Sequence, residues 1–315
     1  MKKIHLLLSA LLLIVFVACG DDENDYYIDP NSNPTPIQTD PRQSTGPDIA
    51  KYSIEFPALA GGNSEVIVHE ATINSTTNKQ AINYSLEWDH DKKATRWVCY
   101  KMYNEVNTSS WNRSNWANGD PWAYDPDVPE LEQQATYSEL SKSTPIKSQF
   151  PNSTYYQKGH ILASADRLCS KEANGQTFYM TNIYPMVPNF NEKIWATMEN
   201  RVRIWGKQAD TLFVCKGGTI DIESNIVDRT KGNHIVPKYF YMALLSKKGN
   251  SLKAMAFWIQ HQDKSTWNPI NSYAITIADL QQKTSIDFFC NLPDDIENQV
   301  ENVDHTQMLK DWGLN

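Results

Sequence analysis

One of the seven histidines in this chain, His160, stands in a context that suits acid–base chemistry. Gly159 directly before it permits close backbone approach or an unusual φ/ψ value. Lys158 places a positive charge two residues from the imidazole. A neutral histidine, with an ordinary pKa of roughly 6.5, can take a proton from water near neutral pH. Taken alone, this segment favours a catalytic histidine only slightly over an ordinary surface or core histidine.

A second polar group follows on a predicted helix. Asn191 and Glu199 are separated by 199 − 191 = 8 positions, which at 100° per residue leaves them about 80° apart, so both could address one site. Arg203 lies one turn beyond Glu199 and is well placed for an i, i+4 ion pair. The alternative is a helix with Asn191 as its N-cap and Glu199–Arg203 as a solvated ion pair. Without further context the alternative is favoured.

The elements that must position these residues can be predicted from the apolar pattern. Residues 177–185 read as a strand running into a turn, and a helix is predicted from near Asn191 through Trp205, with Gly206 at its C-terminal end. The apolar stripe of this helix consists of Ile194, Trp195, Met198, Val202 and Trp205.

Other segments, rich in β-branched and aromatic residues, predict strands at 66–68, 84–88, 96–100, 211–215, 239–245 and 254–260. Mixed strands with few helices and no βαβ rhythm predict an α+β fold. From about Lys51 onward no second Pro/Gly-rich linker follows, so residues 51–315 read as one domain.

The first residues predict export. Lys2 and Lys3 precede an apolar run at 6–17, which is too short to span a membrane but suits a signal sequence. Residues 16–19 resemble a bacterial lipobox, which implies a signal peptide at 1–18 and lipid on Cys19. Residues 19–50 contain an acidic patch and several prolines and read as a disordered tether. The expected location is an outer-membrane-anchored lipoprotein facing the periplasm or the cell surface; ordinary secretion is the alternative.

Charge and cysteine usage constrain the function class. The formal net charge of −8 argues mildly against a nucleic-acid binder. Residues 191–207, however, carry a local charge of +2, with four cations against two acids. Without Cys19, four of the five cysteines remain, which allows three disulfide pairings or buried free thiols. Their wide spacing argues against a zinc site.

Three ordered motifs carry a family resemblance. They are Gln157-Lys158-Gly159-His160, then Thr181-Asn182 with Pro185-Met186, then Asn191, Trp195 and Glu199 at four-residue spacing. They resemble the signature Asp-Arg-Gly-His, Thr-Asn-x-x-Pro-Gln, Asn-x-x-x-Trp-x-x-x-Glu of the DNA/RNA non-specific endonucleases, the ββα-metal or His-Me finger nucleases. The resemblance covers most of residues 51–303 and implies that fold for residues 51–315.

The resemblance also implies a role for each matching residue. His160 is the general base that activates the attacking water, and Asn191 is the protein ligand of one Mg²⁺ or Mn²⁺ ion. Glu199 orients metal-bound water, and Asn182 lines the same pocket. The positions that the resemblance assigns to phosphate contacts are Lys158, Arg203 and, if an insertion is allowed, Arg113. The implied activity is metal-dependent, sugar-non-specific endonuclease cleavage of DNA and RNA.

Departures from the signature leave a second reading open. Gln157, Lys158 and Met186 stand where the family usually has Asp, Arg and Gln. None of these changes removes the base or the metal ligand, so a slower or altered enzyme is predicted. The alternative is a catalytically weakened surface lipoprotein that binds nucleic acid or a partner on the same fold. The sequence leaves the oligomeric state open.

Overall fold

A computed structural model describes residues 53–133, 150 and 152–315. The predicted signal peptide, Cys19 and the tether lie outside the described residues. The strands, in chain order, are β1 (Ser64–Asn74), β2 (Lys79–Asp89), β3 (Ala94–Tyr103), β4 (Gln157–His160), β5 (Ile183–Met186), β6 (Thr211–Gly218), β7 (Ile226–Arg229), β8 (Ile235–Pro237), β9 (Tyr239–Lys248), β10 (Ser251–Gln260) and β11 (Ala274–Ile275).

Within the described ranges, the helices are fewer than the strands. They are α1 (Lys171–Gln176), α2 (Ala196–Gln208), α3 (Ile277–Thr284), α4 (Asp294–Glu301) and α5 (His305–Asp311). A π-helical turn, Phe190–Trp195, runs directly into α2. In the part of the chain that the structure describes, no helix is long and apolar enough to cross a bilayer.

The main sheet has seven antiparallel strands in the order β1-β2-β3-β6-β9-β10-β11. Side chains of a strand alternate between its two faces, and here the central strands bury both. In β6, Leu212 and Val214 belong to the core on one face, whereas Phe213 and Cys215 belong to the core on the other. The strands therefore read as nearly continuous apolar runs. All six predicted strand segments lie within strands of this sheet.

The short antiparallel pair β4–β5 and the helix α2 contribute to the core on one face of the sheet. The pair brings Gln157 opposite Met186 and His160 opposite Ile183. Tyr184 and Trp195 are buried between this ββα unit and the sheet. The predicted α+β class with a ββα motif is confirmed.

Two local predictions were wrong. Residues 177–182 are not a strand: Met180–Asn182 form a 3₁₀ turn, because the Asn182 amide binds backbone groups instead of leaving them for a sheet partner. Gly206 does not end its helix, which continues to Gln208. A Cβ at Gly206 would lie 3.0 Å from Met102 Sδ, so the glycine permits close packing of α2 on β3.

The cysteine chemistry was left open by the sequence. Cys99, Cys169 and Cys215 are buried free thiols, and Cys99 faces Cys215 across β3 and β6. Burial raises the pKa of all three thiols, so they behave as small apolar side chains.

Candidate active site

His160 is the last residue of β4, where the strand meets the loop that leads to α1. The residue before it must be glycine, because a Cβ at Gly159 would collide with the side chain of Met186 on the paired strand. Met186 thus takes up the space beside the Gly-His pair. The sequence analysis singled out both Gly159 and Met186. The pairing of β4 with β5 explains why they occur together.

Aromatic rings surround the imidazole of His160. Its ring centroid lies 5.2 Å from that of Trp122 and 5.1 Å from that of Phe178. Among the described residues, none hydrogen-bonds its buried Nε2 atom. Burial, reinforced by nearby Arg113 and opposed by Asp120, lowers the pKa of His160 to about 3. The imidazole is therefore neutral at pH 7, which is the form that a general base requires.

The backbone at and after His160 is held by two side chains of the other motifs, Trp195 and Asn182. Trp195 Nε1 donates a hydrogen bond to the His160 carbonyl at 3.0 Å. Asn182 Oδ1 accepts from Leu162 N at 2.8 Å, and its Nδ2 donates to the carbonyls of Leu162 and Thr177 at 2.9 and 2.7 Å. The side chain of Asn182 is buried and committed to backbone groups. These hydrogen bonds hold the loop after His160 in place.

Asn191 lies in the π-helical turn, not at a helix N-cap. Its Nδ2 donates to Gln157 Oε1 at 2.8 Å, and Gln157 Nε2 in turn donates to Glu192 Oε1. Gln157 holds the side-chain nitrogen of Asn191. The side-chain oxygen, Oδ1, is therefore the Asn191 atom that can bind a cation. Gln157 therefore orients Asn191, a role that the sequence did not indicate.

The π-helical turn also changes the angle between Asn191 and Glu199. The backbone N–H of Ala196 donates to the Asn191 carbonyl five residues back. This wider turn uses more residues than an α-helical one, so it rotates Glu199 toward the face of Asn191. The predicted separation assumed a regular α-helix throughout.

The predicted Glu199–Arg203 ion pair does not form. Arg203 NH1 instead pairs with Asp166 Oδ1 at 2.7 Å, and Tyr100 Oη donates to Asp166 Oδ2 at 3.0 Å. Asp166 draws the guanidinium because this carboxylate is fully buried in the turn before α1. Burial raises the pKa of Glu199 to about 7, against the lowering effects of Lys216, Arg203 and Trp195.

The remaining predicted cations lie beside His160. Lys158 Nζ sits 5.3 Å from the centroid of the Trp122 ring, and burial lowers its pKa. Arg113 lies 5.0 Å from the Phe178 ring centroid and donates from Nε to Asp120 at 2.7 Å. The structure thus brings Arg113, from a distant segment, to the aromatic wall of His160.

The sequence analysis missed a separate cluster of one histidine and two carboxylates, next to Thr181 of the second motif. His69 Nε2 lies 2.9 Å from Asp125 Oδ2 and its Nδ1 lies 3.7 Å from Asp127 Oδ2, while Thr181 donates to Asp125. These three residues offer ligand atoms within 4.8 Å of one another. Each nitrogen of the His69 ring faces a different carboxylate, so His69 links β1 to the turn at 125–127.

The site therefore comprises two neighbouring groups. In the first, His160 and Lys158 lie against Trp122, Arg113 lies against Phe178, and Asn191 is bound to Gln157. In the second, Arg203 is paired with Asp166, and both act electrostatically on Glu199. Trp195 joins the groups, since its indole binds the His160 carbonyl and contacts Glu199. Trp122 and Phe178 carry no spacing signal relative to His160, so their packing on its ring could not be predicted from sequence alone.

A histidine at the end of one strand of an antiparallel pair, with an asparagine in the helical turn that follows the other strand, is the arrangement of the ββα-metal fold. The solved structure of an EndoG/EndoGI complex shares this fold, with a TM-score of 0.58 at 19% identity, over 79% of this chain and 94% of that chain.

The family follows from the sequence comparison. The model of the DNA/RNA non-specific endonuclease family matches residues 62–295, and the chain belongs to this family. It is thus a nuclease, a hydrolase acting on nucleic acid.

Individual relatives agree with this assignment. A nuclease from Nostoc sp. is 26% identical over 226 residues, which cover 69% of this chain and 75% of that protein. Human mitochondrial endonuclease G is 24% identical over 146 residues, which cover 44% of this chain and 49% of that protein. The match therefore spans about half the length of the human relative.

Proposed function

We propose that this protein is a metal-dependent, sugar-non-specific endonuclease that hydrolyses phosphodiester bonds in DNA and RNA, with His160 as general base. The observation that carries the proposal is the state of His160. It is a neutral imidazole packed between Trp122 and Phe178, and its backbone carbonyl is tied to the helix that presents Asn191.

The donor set suits one hard divalent cation, Mg²⁺ or Mn²⁺. The side-chain oxygen of Asn191, Oδ1, is the protein ligand, since Gln157 holds the nitrogen of the same side-chain amide. Mg²⁺ keeps several waters and needs few protein ligands. When bound, the ion supplies positive charge against the negative charge that develops on phosphorus and the leaving 3′-oxygen.

The residues of the chain supply the other functions. His160 accepts the proton of the attacking water, and Glu199 holds water at the site by hydrogen bonding. Lys158, Arg203 and Arg113 contact the phosphate backbone. Such contacts position a nucleic acid without reading its bases, which supports action on both DNA and RNA. Asn182 acts through the loop after His160 and is a positioning residue.

A cleavage assay tests this proposal. Circular plasmid DNA and a long RNA are incubated with the protein in Mg²⁺ or Mn²⁺, with and without EDTA. We expect both substrates to be cut internally, with loss of cutting in EDTA and in Asn191→Ala. Asn189→Ala is the matched control, because its amide binds Asp263.

The weakened-binder alternative predicts a different pattern in the same assay. Nucleic acid would be retained in a filter-binding measurement while neither substrate is cut in either metal. That result would contradict the enzymatic proposal.

We also propose that lipid on Cys19 anchors the protein to the outer membrane, where it would act on nucleic acid outside the cytoplasm. The support is the short apolar run and the lipobox-like residues 16–19. Membrane fractionation of wild type and Cys19→Ala tests the anchor. Recovery of the wild type in the soluble fraction would contradict it.

A further inference from the structure

Three carboxylates meet on the side of the main sheet that lies away from the ββα unit. Asp287 is in the segment between α3 and α4, and Glu297 and Glu301 are in α4. Each offers a carboxylate oxygen, and these three oxygens lie within 4.8 Å of one another. Val300, next to Glu301, belongs to the core on this second face of the sheet. These three acidic residues are called the carboxylate cluster below.

The positions of the two glutamates in α4 make the carboxylate cluster electrostatically unfavourable. Glu297 and Glu301 are one turn apart, an i, i+4 spacing at which like charges destabilise a helix. Glu301 is the last residue of α4, where the negative end of the helix dipole also disfavours a carboxylate. Burial and then the neighbouring carboxylates raise the pKa of both glutamates to about 7. The charged form of the cluster therefore needs a cation close to it.

The described part of the chain does not supply that cation. The groups in it that act electrostatically on Glu297 and Glu301 are all carboxylates. The cluster of His69, Asp125 and Asp127 differs in this respect, because its histidine faces both of its acids. The carboxylate cluster thus lacks a compensating charge among the described residues.

The side chain of Glu301 is a second indication of a ligand. Glu301 is 7% exposed, and Gln281 Nε2 donates to its Oε2 at 3.3 Å. Gln281 is itself held, since its Oε1 accepts from Phe288 N at 3.0 Å. The other carboxylate oxygen of Glu301, Oε1, is buried with no hydrogen-bond partner among the described residues. A buried oxygen without a partner is costly, so Oε1 is the Glu301 atom that is left for a cation.

We propose that Asp287, Glu297 and Glu301 form a binding site for a structural Ca²⁺ ion, which fastens α4 to the segment after α3. Three carboxylates without a nitrogen or sulfur donor suit a hard cation. Ca²⁺ accepts several carboxylates in a flexible geometry, whereas Mg²⁺ usually keeps several waters and takes one or two carboxylates. The site is separate from Asn191, which lies in the π-helical turn on the opposite face of the sheet. The inference does not depend on nuclease activity.

Isothermal titration of the metal-free protein with Ca²⁺ at pH 8 tests the site. It is made in Asn191→Ala, so that binding by the proposed active-site ligand does not contribute. We expect one ion per chain with a dissociation constant of about 1 mM or lower. Adding Glu297→Gln should weaken the binding at least tenfold. No binding of Ca²⁺ in Asn191→Ala, or equal affinity with and without Glu297→Gln, would overturn the proposal.

Two comparisons accompany this titration. Asp295→Asn is the matched control, since Asp295 is an exposed acid in the first turn of the same helix, and it should leave the affinity for Ca²⁺ unchanged. Mg²⁺ titrated into the same Asn191→Ala protein should bind at least tenfold more weakly than Ca²⁺. Equal or tighter binding of Mg²⁺ would contradict the assignment to Ca²⁺.

Urea unfolding gives a second readout, for which the half-buried Glu297 is chosen in preference to the buried Glu301. The midpoint of the wild type should rise in about 5 mM Ca²⁺, which exceeds the range of roughly 10⁻⁴–10⁻³ M for the dissociation constants of extracellular calcium sites. The rise should be largely lost in Glu297→Gln and kept in Asp295→Asn. A midpoint that Ca²⁺ does not move in the wild type, or moves equally in Glu297→Gln, would contradict the proposal.

Neither readout involves cleavage of nucleic acid. A wild type that binds Ca²⁺ at the carboxylate cluster but cuts neither DNA nor RNA would overturn the proposed function and leave this inference intact. A wild type that cuts both substrates but shows no Ca²⁺ binding in Asn191→Ala would do the reverse.

Discussion

At the scale of single residues, the state of His160 depends on rings from distant parts of the chain. Trp122 and Phe178 exclude water from the imidazole, and Arg113 beside Phe178 opposes a second positive charge. Both effects disfavour the imidazolium form. The base is therefore ready to accept a proton over most of the accessible pH range.

Removing the Trp122 ring should change this state. In Trp122→Ala, water reaches the imidazole, so the pKa of His160 rises from about 3 toward its ordinary value. The protonated form cannot act as a base, so activity at pH 5 should fall several-fold relative to activity at pH 8. An NMR titration of the His160 Cε1 proton measures the shift directly.

Trp258→Ala is the control for this variant, because Trp258 is similarly half-buried but stacks on Tyr239, with 4.6 Å between ring centroids. It should leave the His160 titration unchanged. An unchanged titration in Trp122→Ala itself would show that the ring does not set the protonation state.

The sequence could indicate His160, Asn191 and Glu199 because they belong to local motifs with fixed spacing. It could not indicate that Trp122 packs on His160, since Trp122 reaches the site only through tertiary packing. The Glu199–Arg203 pairing failed for the same reason. Helical spacing permitted this pair, but Arg203 instead forms an ion pair with the buried carboxylate of Asp166, which lies outside the helix.

At the scale of elements, β4 and the π-helical turn are linked by a chain of side-chain amides. Gln157, at the start of β4, accepts from Asn191 and donates to Glu192. Gln157 stands where the family's signature has Asp. In the structure, the side-chain amide of Gln157 orients Asn191 through its oxygen. Its nitrogen also donates a hydrogen bond to Glu192.

A charge swap across this link tests that function. Gln157→Glu should still accept from Asn191 but would oppose Glu192 with a like charge, so Mn²⁺ affinity should fall by about tenfold, as for other residues that orient a metal ligand. The double variant Gln157→Glu/Glu192→Gln reverses donor and acceptor and should recover most of the affinity. Isothermal titration with Mn²⁺ measures both.

Equal Mn²⁺ affinity in the wild type and in Gln157→Glu would contradict an orienting role. Failure of the double variant to recover would show instead that Gln157 itself, and not the link to Glu192, is required.

The long strands could be predicted because both of their faces are buried and their residues favour extended backbone. The turn at Met180–Asn182 and the π-helical turn could not, since each depends on contacts made outside the segment. The consequence for the site is direct, because the π-helical turn sets the angle between Asn191 and Glu199.

At the scale of the whole molecule, a second buried histidine ties the ββα unit to the sheet. His261 Nε2 accepts from Val187 N at 3.0 Å, and its Nδ1 faces the Pro237 carbonyl at 3.2 Å. This pattern requires a neutral ring with the proton on Nδ1. Burial lowers the pKa of His261 to about 3.

Stability should therefore fall on the acid side. Between pH 6.5 and about 3, the unfolded chain binds a proton at His261 that the folded chain does not, so the free energy of unfolding decreases as pH falls. The contribution approaches about 1.4 kcal/mol per pH unit within this window. In His261→Gln, urea denaturation at pH 4 to 7 should show a correspondingly shallower slope.

His305→Gln, at an exposed position, is the control and should keep the wild-type slope. Glu199, whose pKa is raised to about 7, contributes with the opposite sign between pH 7 and its ordinary range, in all three proteins alike. A His261→Gln slope equal to that of the wild type would contradict the assigned ring state.

The central claim is that His160 acts as the base in a nuclease, and a single-turnover measurement tests it most directly. The cleavage rate of bound DNA and of bound RNA in Mg²⁺ is compared for wild type, His160→Ala and the surface control His305→Ala. Loss of a general base should slow both substrates about 10²–10⁴-fold, with nucleic-acid affinity and the His305→Ala rates unchanged. His160→Ala cutting either substrate at the wild-type rate would contradict the account.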